Sequence, residues 1–164
     1  MFQSVAPRAK ASGINVDARW FPLILQRWPD QEVLDADLES FIGAIDDVAK
    51  RALAERTHYA VIVRGKTELN AGQRRRIGKW VREMPRELRE RSAGSFIVIS
   101  GPMQRGIITA LKWILPELKD VFPAESLEAA VDAANAALAA RGVRAPATVA
   151  DIVGYVGGAA LKAQ

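Results

Sequence analysis

Residues Tyr59–Val63 read YAVIV, a short run that is apolar throughout and ends in three β-branched side chains. Such a run lacks the apolar–polar alternation of a half-exposed strand. It marks a strand covered on both faces, as in a parallel sheet between helices. Ser95–Ser100 (SFIVIS) repeats the signal. Two buried strands cannot pair in parallel without a crossover, and the segments around them carry helical periodicity. The order strand, helix, strand, helix therefore predicts an α/β domain. Its expected form is a small, mainly parallel (mixed) sheet of four to five strands with about four helices packed on it.

Residues 1–13 have small and polar side chains, Pro7 and no periodicity, so they read as a flexible N-terminal arm ahead of a domain spanning 14–142. INVDARWFPLILQRWP holds one or two short strands, with Pro22 marking an edge position or a break between them. From about Asp37 to Glu55, Leu38, Phe41, Ile42, Ile45, Val48, Ala49 and Ala52 form one apolar stripe. Asp35 and Asp37 stand where the helix dipole favours negative charge.

A second helix starts at Asn70, with Gln73 three residues on in the pattern of a capping box. Ile77, Trp80, Val81, Met84 and Leu88 trace its expected buried stripe, and Pro85 kinks or restarts it. Ser92-Ala93-Gly94 reads as its exit. Pro102 suits the first turn of a third helix over 103–115, whose apolar girth fits deep burial or a homodimer contact. Asp120–Phe122 is a short last strand ended by Pro123. Ser126 caps a fourth helix running to Arg141, with Leu127, Ala130, Val131, Ala134, Ala137 and Leu138 inward and Gly142 beyond its end. The tail, 143–164, offers Thr148 and Asp151 as caps for a short glycine-weakened helix, either frayed or docked on the core, or a peptide for a partner.

Composition removes whole classes of chemistry. The 164-residue chain has no cysteine and a single histidine, His58. Thiolate sites, disulfides and multi-histidine metal centres are excluded, and no metal or cofactor is expected. No apolar run approaches the roughly 18–20 residues of a membrane span. The first residues lack the apolar centre of a secretion signal, so a cytoplasmic location is expected. His58 reads as an ordinary strand-end histidine, Asp46-Asp47 as solvated, and Trp20, Trp28, Trp80 and Trp113 as core or interface.

Charge is segregated along the chain. Residues 30–56 carry eight acids against three bases, and residues 64–91 carry ten bases against four acids. A bipolar chain of this kind suits a protein partner or self-association at least as well as nucleic acid.

With these segments placed, RWFPLILQRWP, YAVIV, NAGQRRRIGKWVRE, AGSFIVISGPMQRGIITALKWIL and DVFPAESLEAAVDAA resemble bacterial STAS-like domains. These are relatives of anti-sigma-factor antagonists, with distant kinship to CRAL-TRIO lipid carriers. The resemblance covers about Asn15 to Arg141 and is carried best by Gln73–Trp80 and Arg105–Leu115. It implies a small sheet with helices packed on it, no enzymatic activity, and work through protein contacts. In the antagonists a phosphorylatable serine stands where a central strand passes into the next helix. The matching stretch here, RGKTELNAG, has no serine, and only Thr67 has a hydroxyl to accept a phosphate.

Two candidate sites follow. Arg75, Lys79, Arg82 and Arg86 share one helix face at 100° per residue, and with Arg74 they form a surface for an acidic protein partner. The plain alternative is a solvated face, partly neutralised by Glu83, Glu87 and Glu90. No aromatic side chains interleave with these arginines, so nucleic acid is not the expected partner. The second candidate is the crevice at the carboxyl ends of the central strands, where helix N-termini gather ligands. Arg64, Lys66, Thr67, Asn70, Ser100, Gln104 and Arg105 would line it for a small ligand or lipid. GKTELN lacks the upstream glycine of a phosphate-binding loop, and no acid–base or nucleophile pair supports an enzyme.

Overall fold

The computed structural model describes residues 13–65, 69–99, 101 and 119–161. Five strands, β1 (Asn15–Asp17), β2 (Leu23–Arg27), β3 (Tyr59–Arg64), β4 (Ser92–Val98) and β5 (Val121–Ala124), lie side by side in sequence order. β1 runs antiparallel to β2, and every later pairing is parallel. The described helices are α1 (Asp35–Ala54), α2 (Ala71–Glu83), α3 (Arg86–Arg89), α4 (Leu127–Ala139) and α5 (Val149–Leu161). The expected helix at 103–115, and with it the homodimer contact, lies outside the described residues.

Side-chain alternation along the strands divides the helices between two faces. Leu23, Leu25, Ala60, Ile62 and Phe96 meet α4 and α5 on one side, where Ala130, Val131, Ala134, Leu138 and Ile152 are fully buried. Ile24, Tyr59 and Val61 point the other way, to Val48, Ala49 and Ala52 of α1 and to Leu88 of α3. The amino-terminal half of α1 builds a further cluster from Val33, Leu38, Phe41, Ile42 and Ile45, packed against Ile14 and Val16 at β1 and flanked by Trp28, Ile77 and Trp80. All seven residues of the α1 stripe are buried.

The tail packs as a helix. Thr148 and Asp151 cap each other at the start of α5, and the Tyr155 hydroxyl donates to Asp17 Oδ2 at 3.0 Å. No described helix is long and apolar enough to cross a membrane.

One local alternative is decided and two expectations need correction. Pro22 is a break and not an edge residue: it precedes β2, which lies between β1 and β3, and its carbonyl accepts the Ala60 amide at 3.0 Å. Ser92-Ala93-Gly94 is the start of β4 and not an exit. The ladder slips there by one residue, Tyr59 facing Ser92 and Ala60 facing Gly94. Gly94 sits at φ +137°, and a Cβ on it would lie 3.1 Å from the Phe122 ring, so the bulge depends on glycine. Pro123 lies inside β5. The Asp120 and Ala124 carbonyls face β4, accepting from Ser95 and Ile99, so the intervening Pro123 turns its nitrogen away and no ladder bond is lost.

Candidate functional site

Helix α2 begins as its residues dictate. Asn70 Oδ1 accepts the Gln73 amide at 2.9 Å, and Gln73 Oε1 accepts the Asn70 amide at 3.1 Å, a complete capping box. The helix then departs from the expected apolar stripe. Ile77, Trp80, Val81 and Met84 are only half-buried, and the one buried residue is Gln73, at 4% exposure. The reason is placement: α2 lies against α1, so its inner face meets a helix rich in acids.

That inner face makes polar contacts at three levels. Gln73 Nε2 donates to the Val33 carbonyl at 2.7 Å and to Asp35 Oδ1 at 3.1 Å. One turn on, Arg76 holds Glu39 through two parallel bonds, at 2.6 and 2.7 Å. Their mutual bond keeps the Glu39 carboxyl below the usual range and raises Arg76. Another turn on, Trp80 Nε1 donates to Asp46 Oδ1 at 2.8 Å. Asp46 is therefore half-buried and bonded, while Asp47 is exposed as read. Phe41 stands edge-on to both Trp28 and Trp80, with centroids 5.1 and 6.1 Å apart.

The outer face carries the predicted cations. Arg74, Arg75, Lys79, Arg82 and Arg86 are all exposed. Arg74 donates to the Leu69 carbonyl at the helix start. Lys79 is 3.8 Å from Glu83, a loose surface pair. The Arg82 guanidinium folds back over Gly78, where an added Cβ would lie 3.3 Å from Nη1. Arg86 belongs to α3 and pairs with Glu90 at 2.5 Å. The 100° progression that grouped it with Arg75, Lys79 and Arg82 stops at Glu83, because Met84 and Pro85 turn extended.

Of the crevice residues, Lys66, Thr67, Ser100, Gln104 and Arg105 lie outside the described residues. Arg64 ends β3 directly opposite Arg27 of β2. Gly65 follows at φ +120°, and a Cβ there would come within 2.3 Å of the Trp28 carbonyl, so the chain can leave β3 this way only through glycine. At the start of α2 is a depression of about 240 Å³ lined by Glu32, Leu69, Asn70 and Gln73. Asn70 and Gln73 are committed to the cap and Glu32 is acidic, so this depression does not suit an anion. Among the described residues no acidic or histidine cluster could hold a metal ion.

His58 immediately precedes β3. Burial, then the guanidinium groups of Arg141 and Arg91, hold its imidazole below the ordinary value of 6.5. Burial also pushes the neighbouring Tyr59 hydroxyl up to about 12. The grouping of His58 with Arg91 and Arg141 carries no sequence signal, since these residues sit in three separate segments.

Compared with protein-family models, with curated proteins and with solved structures, the chain has no match.

Proposed function

We propose that this is a non-enzymatic regulatory or scaffold domain of the cytoplasm, STAS-like in kind, that binds a protein with an acidic surface through the outer face of α2. One observation carries the reading. The acids of α1 engage α2 at Gln73, Arg76 and Trp80, the inner positions. Three acids of the segment, Asp35, Glu39 and Asp46, are thus taken up along the inner side of α2, and Arg75, Lys79 and Arg82 are left outward, with Arg74 and Arg86 at the flanks. A cationic face of this kind favours fast, salt-sensitive association with an acidic partner. The small mixed sheet with helices on both sides supports the STAS-like part of the reading.

The test is affinity capture from the native cell with the wild-type chain and with the variant R75E/K79E/R82E. The variant is expected to keep its circular dichroism spectrum and melting curve and to lose the captured partner. An identical set of captured proteins overturns the assignment of this face.

A second reading, a small-ligand or lipid module, is favoured by the adjacent Arg27 and Arg64 at the carboxyl ends of β2 and β3. Like charges directly opposite on a sheet are unfavourable unless something neutralises them. Native mass spectrometry of the purified chain would show a co-purifying anion, and a bare mass counts against it.

A further inference from the structure

At the end of the sheet opposite the crevice, three segments bring basic side chains together. His58 is the residue before β3, and Arg91 is the residue before β4. Tyr59 and Ser92, the next residue of each, are register partners, and the Tyr59 amide donates to the Arg91 carbonyl at 2.9 Å. Arg141, just past the end of α4, donates Nη1 to the Ser92 carbonyl at 2.9 Å across 49 residues of sequence. The guanidinium group is thereby held beside the start of β4. Among the described residues no carboxylate forms a close ion pair with His58, Arg91 or Arg141; Glu90, next to Arg91, is bonded to Arg86 and acts on Arg91 only through its field. The charged groups acting on His58 are Arg141 from just past α4 and Arg91 from the link between α3 and β4, both cations. Like charges gathered this way repel, and a bound anion removes the repulsion.

We propose that His58, Arg91 and Arg141 form a binding site for a phosphate-type dianion, separate from the outer face of α2. Guanidinium groups present forked donors that match phosphate oxygens, and an imidazole adds a donor when it takes up a proton. The same linkage makes the site pH-sensitive. A bound dianion raises the proton affinity of His58, so binding tightens as pH falls toward 6 and slackens above neutrality.

His58 is the only histidine in the chain, so its ring Cε1–H resonance is an unambiguous reporter. The full chain is titrated with inorganic pyrophosphate at constant ionic strength set with chloride. In parallel, the chain is floated with vesicles of phosphatidylcholine containing phosphatidic acid. The expected result is a saturable shift of the His58 resonance, with a higher midpoint pH in the presence of pyrophosphate. R91Q and R141Q should each weaken binding by about tenfold, as expected for loss of a charge-assisted contact, and should raise the midpoint in the free protein. R75E/K79E/R82E should titrate like wild type, which separates this site from the α2 face. Saturation by pyrophosphate identifies a soluble phosphate ligand, and flotation without it identifies a lipid headgroup. No saturable shift and no flotation overturns the proposal, as does binding that both Arg→Gln variants leave unchanged.

Discussion

Helices α2 and α4 are both 13 residues long, and each opens with a side chain that accepts the amide three residues on, Asn70 from Gln73 and Ser126 from Ala129. Beyond that turn they are held by different chemistry. α4 lies on the sheet with Ala130, Val131, Ala134 and Leu138 wholly withdrawn from water. Two of these are alanines, which let the helix approach β3 and β4 closely. α2 lies on another helix, buries only Gln73, and is held by donors aimed at the Val33 carbonyl and at Asp35, Glu39 and Asp46. An apolar contact of the first kind anchors a fold. A polar contact of the second kind sets orientation and leaves the outer face free to be charged.

Three substitutions test that contrast. The largest effect is expected on the apolar side, where Leu138→Ala should cost about 2–5 kcal/mol in denaturant unfolding, from lost burial plus the cavity left behind. A loss below about 1 kcal/mol would mean that α4 is not the anchor described. Next is Gln73→Ala, which removes half of the capping box and strips the Val33 carbonyl of a donor. It should cost about 1–3 kcal/mol, and hydrogen exchange should rise first at the amides of α2. Uniform exchange across the sheet would show instead that α2 does not unfold separately.

The smallest effect is electrostatic. Glu39 has its carboxyl held below 4.5 by Arg76, so its contribution is present above that value and lost as pH falls through the folded value. The stability difference between wild type and Glu39→Gln should therefore shrink as pH is lowered from 7 toward 3. Both groups are exposed, so the difference is small at any pH. A gap that widens on acidification would contradict the pairing.

Much of this architecture can be read along the chain, because it rests on local periodicity. The α1 stripe, the caps at Asn70 and Ser126, Gly142 beyond α4 and the buried run at Tyr59 all depend on neighbours within a few residues. The misreadings share another origin. Ser92–Gly94 looks like a turn until Phe122 packs against Gly94, and Pro123 looks like a stop until its nitrogen is found facing away from β4. In the candidate site, the exposed cations of α2 followed from their spacing, whereas Arg86 was misplaced because Met84 and Pro85 break the helical progression. The bond from Trp80 to Asp46 had no local signal at all.

The amino-acid sequence alone determined the class of fold, the two covered faces of the central strands, and the presence of an acidic and a basic segment. Only the tertiary structure decided what those segments do to each other. Period and composition say which side of a helix is apolar or charged, but not which surface it will meet across 30 or 40 residues of chain. Packing turned Asp46 and Gln73 inward, paired Arg76 with the exposed Glu39, and left Arg75 and Lys79 outward. It also brought His58, Arg91 and Arg141 to one corner, where their mutual repulsion becomes a property of the fold.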